Sequence, residues 1–285
     1  MQSTSMTHDP IGHLTSEHPS IVKLGRAGWF AKGVVYLLAG GLALIVVDRS
    51  FGWSHVTAGS KEASPTGAIK EIAQSTGGSL LLIALSVGMF LYAAWRLATA
   101  VLPGSTDAEG VATRIGYGAS AIMYTTFGVT ALALARSRAV KANGNKTVTD
   151  LTSRVMQHTA GRWLIGIAGV LVIGAGLYRL SKGLKSDVTA DVDMSGMSDE
   201  RSRWTRRLGA VGEIGRGIAM GLIGFFLVRA AVTFKAAEAT GLDGALRRLA
   251  LESWGVLVVA VIGLGMIAYG LFCLFTFTRR QLQAP

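Results

Sequence analysis

Acidic residues are scarce in this chain of 285 residues, 17 Asp and Glu against 28 Lys and Arg, and they avoid its long apolar stretches. Six segments carry no charged residue: Gly33 to Val47, Ser79 to Trp95, Ile115 to Ala135, Trp163 to Tyr178, Gly217 to Val228 and Ser253 to Thr278. With no Asp or Glu well inside them, the commonest proton-relay and cation-coupling group is excluded there. Proline is also missing from these stretches: Pro10, Pro19, Pro65, Pro103 and Pro285 all lie outside, so helices can close their own backbone hydrogen bonds. The single Cys273 excludes an intrachain disulfide, says nothing of redox compartment and reads as a small buried hydrophobe. Histidines are few and badly placed for a metal. His8, His13 and His18 share no helical face, and His55 and His158 are isolated. No nucleophile motif, Walker sequence or dinucleotide fingerprint occurs. Neither catalysis, a metal nor a cofactor is therefore expected.

What is present is apolar. Half of the residues are hydrophobic, 37 are glycine, only 16% are charged, and mean hydropathy is +0.44. That composition points to an integral membrane protein. The third and sixth segments match or exceed the roughly 20 residues that cross a bilayer. The other four reach that length if Lys32, Arg96, Arg162, Arg179 and Arg229 sit near helix ends and snorkel to headgroups. Trp29, Trp95, Trp163 and Trp254 each stand at the end of a span, as an interfacial belt requires. The first segment follows a long polar leader without a convincing small-x-small site, so it is expected to stay as a span. The net charge of +11 gathers at span ends without interleaved base-stacking aromatics. It predicts contact with anionic headgroups and no nucleic acid.

A unit of roughly ninety residues, two apolar helices with a polar connector, occurs three times. Gly25, Gly28, Gly33 and Gly40 of the first unit recur as Gly209, Gly212, Gly217 and Gly224 at one offset, and Lys32 recurs as Arg216. The middle unit keeps Gly116, Tyr124 and Gly128, but Ser120 and Ala121 replace the cation and its glycine. Closing helices repeat as well, with Gly88 to Tyr92 matching Gly265 to Tyr269. In the middle unit Tyr178 fits by eye, yet counting from Gly161 sets Ala175 opposite Tyr92, a register ambiguity of about one turn. The expected organisation is a polar tail (1–23), repeat one (24–102), repeat two (103–185), a polar linker (186–205), repeat three (206–280) and a short tail (281–285). Two spans per unit give all three units one orientation, so the fold expected is all-α, six transmembrane helices around a pseudo-threefold axis along the membrane normal.

The pattern Gly-x-x-Gly-aromatic-x-x-cation-Gly-x-x-Tyr opening a two-span unit, with Gly-x-x-x-Tyr closing it, resembles the actinobacterial membrane family known as domain of unknown function 1206 (DUF1206). The resemblance covers about Leu24 to Arg280 and implies three two-helix repeats, six spans and no established activity. Unit two departs from the pattern at Ser120 and Ala121.

Basic residues are slightly more numerous on the side that holds both termini, which favours cytoplasmic N- and C-termini in the cell membrane. Gly67–Gln74 and Gly244–Leu251, and similarly Thr147–Gln157, alternate apolar and charged residues at helical spacing. Each reads as a short amphipathic helix on the interface, or as the first turns of a longer tilted span. Ser186 to Arg203 reads as an exposed linker whose acidic residues lack the order of a calcium loop.

Three sets of residues are candidates for function. Lys32 and Arg216 read as snorkelling anchors or as an anion and lipid-phosphate contact, with Glu213 one turn away as a local ion-pair partner for Arg216. Tyr36, Tyr92, Tyr124, Tyr178 and Tyr269 read as packing or as a polar cluster. Gly28, Gly33, Gly40, Gly116, Gly128, Gly212, Gly217 and Gly224 read as close helix contacts. Two functional classes follow: a structural bundle that binds lipid or a membrane-protein partner, or a small-solute channel or transporter. A polar cavity reached by Lys32 and Arg216 favours the second, a dry packed centre the first.

Overall fold

A computed structural model describes residues 19–51, 64–74, 78–101, 108–136, 144–158, 160–185, 188–189, 192–252 and 254–279. Six of its helices are long and apolar enough to cross a membrane: α1 (Pro19–Phe51), α3 (Gly78–Val101), α4 (Ala108–Arg136), α6 (Gly161–Leu184), α7 (Asp199–Thr233) and α9 (Gly255–Thr276). A shorter helix precedes the second span of each unit: α2 (Pro65–Gln74), α5 (Gly144–Met156) and α8 (Leu242–Ala250). The chain is an all-α, six-span membrane protein built from three two-helix repeats. The termini 1–18 and 280–285, and with them His8, His13 and His18, lie outside the described residues, as does His55.

The most extensive packing joins neighbouring units: α1 with α9, α3 with α4, and α6 with α7. Sequence explains why, because each of these seams is made of small residues two helical turns apart, which lets backbones approach closely. In α1 and α9 the pairs are Gly33 with Gly270 and Gly40 with Gly263; a Cβ added to Gly40 would stand 2.7 Å from the Gly263 carbonyl oxygen. In α6 and α7 they are Gly176 with Gly217 and Gly169 with Gly224, continued by Gly183 against Ala210. At the matching positions of α3 and α4 stand Ala93, Ser86, Ala121 and Gly128, and Ser86 Oγ donates to the Gly128 carbonyl at 2.9 Å. This correspondence removes the register ambiguity of unit two: Gly169 and Gly176 are the counterparts of Gly263 and Gly270, so Ala175, not Tyr178, matches Tyr92 and Tyr269.

Packing within a unit differs. In unit one Gly28 meets Tyr92 and Gly88, and Gly88 meets Ala31; in unit three Gly212 meets Tyr269 and Gly215 meets Gly265. Unit two has Leu171 where the others have Gly88 and Gly265, and Ala175 where they have tyrosine. Leu171 points outward, and α4 and α6 form no seam among the described residues. Neighbours therefore run in the order α4, α3, α1, α9, α7, α6, with α1 and α9 most enclosed and α6 least. Gly116, expected to be a packing glycine, has open space where its Cβ would be. Its partner is missing, because the within-unit seam is.

The short helices do not simply rest on the interface. Ile69, Thr152 and Leu246 occupy equivalent places in α2, α5 and α8, and all three are buried. α2 packs on α1, α3 and α4, while α8 packs on α1, α7 and α9, so both close one end of the bundle. The expected exposed linker is also partly folded in. Val188 and Val192 are buried, Asp193 N–H donates to the Arg279 carbonyl at 2.9 Å, and Arg279 Nη1 donates to the Ser195 carbonyl at 2.8 Å. Ser198 then caps α7, its side chain accepting from Arg201 N–H.

Candidate functional site

The site grows from the helix pair that Gly33 and Gly270 bring together. Gly33 faces α9, and its neighbour Lys32 is turned into the protein, 4% exposed, instead of snorkelling to the surface. Four rings surround its ammonium: Trp29 at 4.6 Å, Tyr92 at 5.0 Å, Tyr269 at 5.2 Å and Tyr124 at 5.5 Å from ring centroid to Nζ. They come from α1, α3, α9 and α4, so the cage exists only when four helices assemble. Electron-rich ring faces favour a cation there. Trp29, read from sequence as part of an interfacial belt, is a core residue whose indole Nε1 donates to Thr276 Oγ1 at 3.1 Å. Trp163 and Trp254 are both 64% exposed, as belt residues are.

Arg216 enters from α7, 9% exposed, with its guanidinium 3.9 Å from the Tyr269 ring centroid and 5.3 Å from that of Tyr36. Tyr36 and Tyr269 are in edge contact at 5.0 Å, and Tyr92 and Tyr124 at 4.6 Å. Four of the five candidate tyrosines thus form one cluster with both candidate cations. Tyr178 does not join it; on the outer face of α6 it is 65% exposed.

Glu213 bonds Arg216 at 2.9 Å and also Arg179 of α6 at 2.9 Å. Although no acidic residue was expected well inside a span, Glu213 lies within the long α7 at the position Trp29 holds in α1, and its two arginines compensate its burial. On the other flank, Arg96 Nε donates to Tyr92 Oη at 3.0 Å, and Lys32 Nζ donates to the same oxygen at 3.2 Å. One phenol oxygen therefore bridges two cations. Among the described residues four cations, Lys32, Arg96, Arg179 and Arg216, stand with the carboxylate of Glu213.

This caged, cation-rich centre belongs to a recognisable sequence pattern. The family model described as Domain of Unknown Function (DUF1206) matches residues 27–102, 115–186 and 211–276. The chain belongs to the DUF1206 family. The three matched stretches of this DUF1206 protein coincide with the three two-span units. It is similar to the uncharacterized protein YxxB of Bacillus subtilis (strain 168), 29% identical over 261 residues and covering 90% of each chain. No solved structure matches it.

Sequence reasoning missed three members of the site in the DUF1206 protein. Arg96 and Arg179 were legible only as span-end cations and Trp29 only as a belt residue, because nothing in the sequence shows that Arg96 and Trp29 face Tyr92 or that Arg179 faces Glu213. One signal was available: Tyr92 and Arg96 are one helical turn apart, hence on the same face of α3.

Proposed function

We propose that this membrane protein is a structural, lipid- or partner-binding helical bundle of the cell membrane, with no reaction of its own and with both termini cytoplasmic. The observation that carries this reading is the filled centre: Trp29, Tyr92, Tyr124 and Tyr269 occupy the space around Lys32, and each is almost fully buried. A solute drawn by Lys32 and Arg216 finds rings where a pathway needs water. Purified protein in liposomes is expected to show no flux of anions, cations or neutral solutes, and the same for Lys32→Ala with Arg216→Ala. Flux in wild type that the double variant abolishes would overturn the reading.

A specific observation favours the second reading, a small-solute channel or transporter, and an anionic solute in particular: among the described residues the cluster holds four cations and one carboxylate. That route requires the tyrosine cage to open, and the same flux assay detects it. The slight surplus of basic residues beside the termini supports their cytoplasmic placement. Reporters fused after Ser105 and Asn143 test it, with a cytoplasmic signal at Asn143 reversing the assignment.

A further inference from the structure

We propose that the end of α3 binds the phosphate of an anionic lipid, with Arg96 as its principal contact and the indole N–H of Trp95 as a second donor. The proposal rests on the lipid-binding part of the reading above, but moves the anion away from Lys32 and Arg216, which are enclosed.

Three observations converge on this place. First, Arg96 has no carboxylate partner among the described residues. Its Nε is taken by Tyr92 Oη, and its guanidinium lies 4.7 Å from the Trp95 ring centroid and 4.5 Å from that of Tyr117 on α4. The rings orient the planar group while leaving its terminal nitrogens without an acceptor among the described residues, the pair of donors that matches two phosphate oxygens. Second, Trp95 Nε1 is shut off from solvent and has no hydrogen-bond partner among the described residues, and Arg26 Nε, at the same end of the bundle on α1, is in the same condition. A buried donor without an acceptor is costly, so an oxygen supplied from outside the chain resolves it. Third, the charge behind Arg96 is uncompensated. Lys32 stands on the other side of Tyr92 Oη, and Glu213 is already bonded to Arg179 and Arg216. The nearby Arg114 is engaged differently: it donates to the carbonyls of Ala100 and Val101, closing the end of α3.

A lipid, rather than free phosphate, is the source that the surroundings fit. Arg96 lies less than two turns from the end of a spanning helix, the depth of headgroups. Beside it on α3, Leu97 and Val101 are 55% and 69% exposed, and Ile115 on α4 is 68% exposed, an apolar flank for acyl chains. A phosphodiester with two chains satisfies both features. An inorganic ion satisfies one.

The test uses the full chain in neutral detergent, titrated separately with phosphatidylglycerol, phosphatidylcholine and inorganic phosphate, with bound lipid counted by native mass spectrometry and thermal stability measured in parallel. Wild type is expected to retain one phosphatidylglycerol in preference to phosphatidylcholine and to gain stability from it. Arg96→Gln is expected to weaken that binding roughly tenfold, the loss of one charge-assisted pair, and Arg96→Lys to restore only part of it. Arg206→Gln, an equal charge loss on exposed α7, should bind as wild type does. Equal binding by Arg96→Gln and wild type, or equal weakening by Arg206→Gln, overturns the site; saturation by inorganic phosphate without lipid preference overturns the lipid. Should Arg96→Gln fail to fold, a photoactivatable phosphatidylglycerol on the wild-type chain decides: adducts on residues 95–101 or 108–117 support the proposal, and adducts confined to other residues overturn it. Solute flux bears on the bundle reading alone and lipid retention on this site alone, so the failure of one leaves the other standing.

Discussion

Tyr92 is where the charges of this protein meet, since its phenol oxygen accepts from both Lys32 and Arg96. Tyr92→Phe keeps the ring contacts and deletes that acceptor, so it is expected to lower stability by about 1–3 kcal/mol in thermal unfolding. Tyr36→Phe, whose hydroxyl makes no such bridge, should lie close to wild type. Lys32→Met tests the cage itself. Replacing a buried cation by an apolar side chain of similar length is expected to leave stability unchanged or raise it, which would locate the purpose of Lys32 outside stability. At the surface, Asp193 accepts from the hydroxyl and the backbone N–H of Ser195, which holds its carboxyl below the ordinary value of 3.8. A lowered carboxyl contributes fully above that ordinary value and is lost as pH falls through its own folded value. The turn should therefore loosen only in acid, and Ser195→Ala should move the Asp193 midpoint, followed by NMR, part of the way back up.

Adjacent glycines on one helix separate packing from flexibility. Gly40 is pressed against Gly263 and Ile267 of α9, while Gly41 faces open space. Gly40→Ala is expected to destabilise by roughly 1–3 kcal/mol through overpacking. Gly41→Ala should be neutral or stabilising, by up to about 1 kcal/mol, since alanine is the better helix former. Gly224 and Gly221 on α7 repeat the contrast, because Gly224 meets Gly169 and Ile173 whereas Gly221 has open space for a Cβ. Spacing in the sequence marked Gly33, Gly40, Gly217 and Gly224 as candidates for close helix contact, and a Cβ at each would meet a neighbouring helix. In unit two it failed at Gly116, since a glycine packs only if its partner helix is there.

At the scale of the whole molecule, three equivalent seams join the units among the described residues, but only two seams close within them there. The missing one is attributable to Leu171 and Ala175, whose side chains replace the glycine and tyrosine that let α1 and α3, or α7 and α9, interlock. In a Cys273→Ala background, Ala31→Cys with Gly88→Cys is expected to oxidise to a disulfide after the helices move slightly apart, since a Cβ on Gly88 would stand 2.9 Å from that of Ala31 and a disulfide needs roughly 3.5–4.5 Å. The equivalent pair in unit two, Ala119→Cys with Leu171→Cys, should stay reduced. A disulfide there would show that α4 and α6 close the ring.

Length, hydropathy and the recurrence of glycine determined six spans in three units, because a bilayer demands about 20 apolar residues per helix and close packing demands small side chains at fixed spacing. The pairing of Arg216 with Glu213 was legible for the same reason: helical periodicity alone places those residues on a common face. What the repeat left undecided was which helices meet, at the seams between units and elsewhere. Only the tertiary structure turned Lys32 and Trp29 inward, left Tyr178 on the outer face, buried Glu213 between two arginines and set Arg96 of α3 against Tyr117 of α4. Each of these depends on contacts between helices far apart in the chain, and no local pattern encodes them.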